Sequence, residues 1–548
     1  MAHALAGKPV QEQDIIDVQT IVDAYFDNVP DMTNPTQLVS FGTSGHRGTS
    51  VDGTFTDLHV AAITQAICDG RKQFGATGPI FVGQDTHALS QPALVTVLEV
   101  LAGNGVTAMV DCDMAFVPTP SVSRAIIRYN EEHDDKADGI IITPSHNQPD
   151  NGGIKYNTII GGPADTVVTK WIEMRANEYL TAYCESEDFK RISIDNIEPT
   201  AQVPYDYKGL YVEELGDVIN MEAIKAAGPK VMVDTLGGSG ASYWNAIKER
   251  YGLDLTIIHD DYDPTFSFMT YDHDGKVRMD CSSTYVMASV INRIGDFDLA
   301  VGNDPDYDRY GIVVSSGLIS ANTFLTLAAR YLFTTRGWKN KGVGKTVVCT
   351  TMIDKWAADA ETPVFEVPVG FKYFSQLLFD GAIGIGGEES AGASFLKKDG
   401  TVWTTDKDGM IMALLSMEIM AVMGKSALKM TDEFVEEFGN PSFGRIDAPC
   451  KKEQKQILKQ MSAELITATT VDGDPITNIR TTSLYNDMPI DGVRVETDKG
   501  WFVARPSGTE DLYKIYGESY KGDLGLVALL TAGEEIVNAA LNGTIETE

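Results

Sequence analysis

The segment Thr143-Pro144-Ser145-His146-Asn147 carries the residues best placed for chemistry in this 548-residue chain. The apolar run Gly139-Ile140-Ile141-Ile142 before it reads as a buried strand, and Pro144 disfavours helical geometry for Thr143. The Ser145 hydroxyl, a candidate nucleophile, is therefore expected at the exposed end of a strand, a common address for a site in α/β folds. A Ser-His pair alone is weak, because both residues are frequent in surface turns. Three aspartates at alternating positions, Asp304, Asp306 and Asp308, add a second chemistry. On a tight loop their oxygens can converge on one hard cation such as Mg²⁺. An EF-hand reading fails, since its sixth position would be Arg309 where glycine is needed and its twelfth Ser315 where glutamate is needed.

Three further stretches carry polar groups suited to ligands. Gly386-Gly387-Glu388-Glu389-Ser390 offers acceptors and a hydroxyl matched to sugar hydroxyls at Glu388 and Ser390, with Glu389 expected by alternation to face away. Arg505, Ser507, Gly508 and Thr509 combine a guanidinium, hydroxyls and backbone N–H groups, the usual ingredients of a phosphate cradle. Phe41-Gly42-Thr43-Ser44-Gly45-His46-Arg47-Gly48 sets polar side chains among three glycines, a composition that lets backbone approach a ligand closely. Other motifs fail on context. Gly344-Lys345-Thr346 resembles the end of a P-loop, but Lys339 stands where its first glycine belongs. There is no Gly-x-Ser-x-Gly elbow. Gly103-x-Gly105-x-x-Ala108 follows a helix instead of a strand, so it is no dinucleotide fingerprint.

The elements that must position these residues read as α/β, with three similar mixed α/β domains followed by a smaller α+β C-terminal domain. Strands at Pro79–Val82 and Ala108–Val110 and helices at Gln91–Leu101 and Ser121–Tyr129 precede the Ser145 strand, and a helix at Asp165–Leu180 follows it. A second run goes from Lys230–Asp234 through Leu255–Ile258 to Leu299–Asn303, before the aspartates. A third opens with a helix at Ala321–Thr335, continues through a strand at Thr346–Cys349, and reaches Ala382–Ile385 before the glutamates. Each time a strand delivers the chain into a polar loop. The expected domains are an N-terminal appendage (1–38), domain 1 with the serine loop (39–203, its polar residues 185–203 a linker), domain 2 with the aspartate loop (204–317), domain 3 with the glutamate loop (318–438) and domain 4 with the phosphate loop (439–548).

Composition narrows the class. The net charge of −34, from 78 acidic against 44 basic residues, argues against nucleic-acid or anionic-membrane partners. No apolar stretch is read as approaching the roughly 20 residues of a membrane span, and the N-terminus lacks the apolar core of a signal peptide. Six scattered cysteines, without zinc spacing, read as buried small residues in a reducing compartment. A cytoplasmic protein, monomeric or homodimeric, is expected.

Taken together, the Ser145 motif, Gly152-Gly153-Ile154-Lys155-Tyr156, Asp304-Pro305-Asp306-Tyr307-Asp308-Arg309, Gly386-Gly387-Glu388-Glu389-Ser390 and Arg505-Pro506-Ser507-Gly508-Thr509 resemble the α-D-phosphohexomutase superfamily, most closely its bacterial phosphoglucomutases. The resemblance runs in the family's order from about Phe41 to about Glu518. It implies a phosphorylated Ser145, a phosphate oxygen of which joins Asp304, Asp306 and Asp308 on Mg²⁺. It further implies a phosphate contact for Arg47, catalytic roles for Lys155 and Lys407, a substrate-lining role for Thr43, Ser44 and Arg309, and recognition of hexose O3 and O4 by Glu388 and Ser390. The expected reaction interconverts α-D-glucose 1-phosphate and glucose 6-phosphate through glucose 1,6-bisphosphate, which serves as activator and intermediate. Lys407, Lys155 and His146 all stand as the base. A mutase for phosphomannose or phosphoglucosamine, or a noncatalytic binding protein, are the alternatives. The chain departs from its relatives at Gln148, where proline is usual, and at His87, where many have arginine. Ala391-Gly392-Ala393 lacks the histidine of branches that handle mannose as well, which favours glucose. Ser145→Ala is expected to abolish turnover and, by intact mass, to remove a phosphate of about 80 Da while the fold persists; near-parental turnover would falsify the assignment.

Overall fold

The computed structural model describes residues 2–42, 44–184, 189–506 and 512–545. Four sheets follow one another along the chain, three mixed and one antiparallel, in the class read from the sequence. The first runs His46–Thr49, Asn151–Asn157, Asp138–Ile142, Ile80–Gln84, Ala108–Asp111 and Gln202–Tyr205. Asp138–Ile142 lies inside it, buried at all five positions, which explains its unbroken apolar run. The second orders Gly317–Leu318, Tyr310–Val314, Leu299–Asn303, Val231–Asp234 and Leu255–Ile258, and the third Val364–Val367, Gly342–Thr346, Ile383–Gly387 and Ala393–Phe395.

One device recurs in all three. A buried strand that pairs in parallel on one side turns back as an antiparallel hairpin on the other: Asp138–Ile142 with Asn151–Asn157, Leu299–Asn303 with Tyr310–Val314, and Ile383–Gly387 with Ala393–Phe395. The serine, aspartate and glutamate loops are these three hairpin connections. The fourth sheet is wholly antiparallel, from Ser442–Pro449 to Thr470–Val471, and carries Arg505 near the end of Gly500–Pro506.

Several expectations change on folding. Of residues 185–203, expected as linker, 185–188 lie outside the described residues and the rest pack on the first unit: Phe189, Ile194 and Ile197 lie against its core, and Gln202–Tyr205 pairs in parallel with Ala108–Asp111. The third unit's strand is Gly342–Thr346, just ahead of the apolar run. Val347 and Val348 instead leave through a turn and pack against Ile490, Trp501 and Val503 of the C-terminal unit. The N-terminal appendage is tied to two units. Pro9 pairs with Thr270, Gly7 N–H donates to the Tyr271 carbonyl at 2.8 Å, and helix Val18–Asp27 buries Ile21 and Tyr25 in the first core. The second and third units share one core, crossed by the all-round apolar helix Gly409–Met423. Cys112 is exposed, whereas Cys281, Cys349 and Cys450 are buried as expected. Among the described residues one unbroken helical stretch, Gly522–Asn542, is long and apolar enough to cross a membrane. Here Leu529, Leu530, Val537 and Leu541 on that helix belong to the C-terminal core, so the stretch reads as a core helix.

The serine strand is anchored at its start. Asp138 accepts from Arg71 Nη2 at 2.7 Å and Nε at 3.0 Å, and from Tyr156 Oη at 2.8 Å. Asp138→Asn leaves a buried guanidinium without its counter-charge, and should destabilise the fold by about 3–5 kcal/mol, read as a lower urea midpoint with the Michaelis constant little changed.

Candidate active site

Ser145 sits at the strand's end with φ +58°, a left-handed conformation that costs a non-glycine residue about 1–3 kcal/mol. Its N–H is satisfied by Thr143 Oγ1 at 2.8 Å, and its side chain is buried. The hairpin behind it closes tightly: a Cβ on Gly153 would stand 2.2 Å from the Thr143 carbonyl, so only glycine fits. Tyr307, with φ +61°, and Ala391, with φ +66°, mark the aspartate and glutamate loops in the same way. All three loops meet: Ser145 Oγ lies 3.4 Å from Asp306 Oδ2, and Tyr310 N–H donates to the Ala391 carbonyl at 3.2 Å.

Asp304, Asp306 and Asp308 are buried together. Burial, reinforced by the charges of Asp308 and Asp306, pushes Asp304 well above the usual carboxylate range. Burial pushes Asp308 upward too, but Lys407, Lys155 and Arg309 outweigh it and hold Asp308 well below that range. Lys155 Nζ lies 2.6 Å from Asp306 Oδ2 and 3.2 Å from Asp308 Oδ2, and Lys407 Nζ lies 2.8 Å from Asp308 Oδ2. Thr119, at the start of helix Thr119–Glu132, donates its hydroxyl to Asp306 Oδ2 at 2.8 Å and its N–H to the Asp306 carbonyl at 2.9 Å, so that helix's positive end faces the loop.

One oxygen from each aspartate lies within 4.8 Å of the others. Asp304 Oδ2, Asp306 Oδ1 and Asp308 Oδ1 are buried without a hydrogen-bond partner among the described residues. Hard, unpartnered oxygens on a tight loop fit a cation of the Mg²⁺ or Ca²⁺ kind, whose ligation would satisfy them.

Around this centre stand other residues read from the sequence. Arg47 Nη2 donates to Ser145 Oγ and Ser44 Oγ, each at 3.2 Å, which also brings Ser44 in. Arg309 N–H donates to Asp304 Oδ1 at 2.9 Å, and its guanidinium approaches Asp280 at 3.4 Å. Burial, with Arg309 adding to it, holds His146 well below the usual histidine range, and its Nδ1 has no hydrogen-bond partner among the described residues. Glu388 is buried near Lys407, since a Cβ on Gly392 would meet both Lys407 Cδ and Glu388 Oε2. Ser390 is half-buried beyond it in the same hairpin. Glu389 turns instead toward Thr346 Oγ1, at 3.2 Å. Arg505 makes no described hydrogen bond or ion pair to the serine or the aspartates. Its Nε donates to the Ile490 carbonyl at 2.8 Å, and its charge is felt at Glu389 and Lys372 of the third unit. Thr43, Ser507, Gly508 and Thr509 lie outside the described residues.

Sequence reasoning missed the supporting groups. Asp280 reaches Arg309 from an irregular loop, and its backbone neighbour Met279 donates N–H to the His146 carbonyl at 3.1 Å. Asn157 and Ser123 bond Asp406 and Thr405, fixing the loop that aims Lys407. The only sequence cue was the polar run Thr405-Asp406-Lys407-Asp408.

Family models for the phosphoglucomutase/phosphomannomutase domains match in order: alpha/beta/alpha domain I over residues 38–182, domain II over 210–317, domain III over 320–438 and the C-terminal domain over 447–524. The chain belongs to the phosphoglucomutase/phosphomannomutase family. It is 46% identical over 539 residues to a phosphoglucomutase of Komagataeibacter xylinus, with 97% of each chain covered. It is 26% identical over 526 residues to phosphoglucomutase 1 of Saccharomyces cerevisiae, with 88% of each covered. A solved structure of a putative phosphomannomutase from Thermus thermophilus matches with TM-score 0.71 at 23% identity, over 91% of this chain and 99% of that one, a likeness of fold.

Asp306→Asn removes the carboxylate that Ser145, Lys155 and Thr119 all face. Turnover is expected to fall more than roughly 100-fold, and Mg²⁺ binding, read by calorimetry, to weaken; parental values for both would place the metal elsewhere.

Proposed function

We propose that the chain is a phosphoglucomutase that interconverts α-D-glucose 1-phosphate and glucose 6-phosphate through a phosphorylated Ser145 and glucose 1,6-bisphosphate. The observation that carries this reading is the meeting of Ser145 Oγ, three buried carboxylates and the cations Arg47, Lys155, Lys407 and Arg309 where three hairpins converge. Asp304, Asp306 and Asp308, with a phosphate oxygen on Ser145, would hold Mg²⁺, which supplies charge neutralisation to the transferring phosphoryl group. Arg47, already 3.2 Å from Ser145 Oγ, is placed to hold phosphoryl oxygens. Lys155 and Lys407 add fixed positive charge where the transition state spreads negative charge. The base for the sugar hydroxyl is one of Lys155, Lys407 and His146. Glu388 and Ser390 read the hexose hydroxyls. Arg505 and the loop after it hold the distal phosphate, on a separate unit that can open while the bisphosphate turns over.

In this reading the partner is a small phosphosugar in the cytoplasm, with no nucleic acid and no membrane. The missing histidine in Ala391-Gly392-Ala393 favours glucose over mannose. A coupled assay for glucose 6-phosphate, with trace bisphosphate, should give turnover on glucose 1-phosphate; turnover only on mannose or glucosamine phosphates would replace the reading by one of its alternatives. A pH series tests the sugar site. Burial, opposed by Lys407 and aided by Glu389, brings Glu388 to about 7, so it ionises only as pH rises through that value. An ionised carboxylate accepts from sugar hydroxyls more strongly. kcat/KM should therefore rise through about pH 7, and Glu388→Gln should lack that limb.

A further inference from the structure

The strained turn that carries Ser145 is gripped by side chains outside the reacting set. Asp85, just past strand Ile80–Gln84, is wholly buried and accepts four hydrogen bonds. On Oδ1 they come from the His87 N–H at 3.0 Å and Ser90 Oγ at 2.5 Å. On Oδ2 they come from Thr143 Oγ1 at 2.6 Å and His87 Nδ1 at 2.9 Å. Thr143 Oγ1 then accepts the Ser145 N–H at 2.8 Å. The other ring nitrogen of His87, Nε2, lies 3.2 Å from the Asn147 carbonyl. The Asp85–His87 pair therefore holds the turn on both sides of Ser145, at Thr143 and at Asn147. The two ring nitrogens of His87 thus stand within hydrogen-bond distance of an acceptor on each side of the serine turn.

We infer that Asp85, Thr143 and His87 are positioning residues. They lock Ser145 in its left-handed conformation, and so aim Oγ between Arg47 Nη2 at 3.2 Å and Asp306 Oδ2 at 3.4 Å. Without the clamp the turn relaxes toward commoner backbone angles and Oγ leaves the line of phosphoryl transfer. Phosphoryl transfer depends on alignment, so the loss falls on rate, whereas the sugar and distal phosphate contacts lie elsewhere. This inference rests on the phosphoglucomutase reading for its kinetic part alone.

Three variants test it. Thr143→Val keeps the shape and removes the hydroxyl that joins Asp85 to the Ser145 N–H. His87→Gln offers an amide that cannot bridge both acceptors. Ser90→Ala removes a bond to the same carboxylate on its other oxygen, and serves as the control for simple destabilisation. Thr143→Val and His87→Gln should lower kcat by roughly 10- to 100-fold with the Michaelis constant for glucose 1-phosphate within about twofold, while Ser90→Ala lowers melting temperature and keeps kcat. Amide hydrogen exchange at Ser145, which needs no turnover, should be slow in the parent and faster in Thr143→Val. If only one of the two clamp variants folds, it decides. An unchanged kcat in either folded clamp variant, an equal loss in Ser90→Ala, or unprotected Ser145 exchange in the parent overturns the inference. Absence of parental turnover alongside a protected Ser145 amide would count against the functional reading and leave the clamp standing.

Discussion

Three carboxylates buried within 4.8 Å of one another are the constraint around which the molecule is arranged. Two unit charges at that separation repel by roughly 3 kcal/mol at the effective dielectric of a protein interior, before any loss of hydration. Such a loop persists only if positive groups surround it. They arrive from every side: Lys155 from the first unit, Arg309 from the loop itself, Lys407 from the third, and the amide end of helix Thr119–Glu132. The oxygens left without hydrogen bonds mark what the protein's own cations do not satisfy. Electrostatic demand at one loop thus requires three units to dock, which makes the site an inter-unit structure.

The same docking explains how a chain of net charge −34 can hold a phosphorylated ligand. The global field opposes a phosphosugar, but at 0.15 M salt it is screened beyond about 8 Å. Within the buried site the lysines and arginines act at contact distance and screening is weak. Most acidic residues lie outside the buried set, whereas Arg47, Lys155, Lys407 and Arg309 converge beside the buried aspartates.

Each loop that meets at the site also carries one non-glycine residue in a left-handed conformation: Ser145, Tyr307 and Ala391. In the serine and aspartate hairpins the turn points one reacting side chain, or an alternating set, inward. Ser145 Oγ faces Arg47 and Asp306, and Asp304, Asp306 and Asp308 face one another while Tyr307 packs under Gly238 and Gly240. Strain of this kind needs surrounding structure to hold it. Glycines at Gly153, Gly392 and Gly409, where a Cβ would strike backbone or Lys407, let the neighbouring segments close on these loops.

The alternation of strands and helices, the succession of three α/β units and a smaller C-terminal unit, and the candidate residues for chemistry were legible from sequence, because apolar runs are local and motif spacing survives in one dimension. Ser145, the three aspartates, Arg47, Lys155 and Lys407 do converge. What tertiary structure alone decided is long-range and mixed in sign. The Val347-Val348 run has the apolarity of a strand, yet packs across a domain boundary. Residues 189–203 look like polar linker, yet end in a sheet strand. The N-terminal appendage shows only a helical pattern, and nothing in it announces pairing with Thr270. Asp280, Thr119 and Asn157 carry no motif, because their partners are 29, 187 and 249 positions away. Sequence by itself determined which groups could do the chemistry, since that is a property of side-chain type and local spacing. Only the fold decided which of them share one buried space, because burial and charge pairing are set by elements brought together from distant parts of the chain.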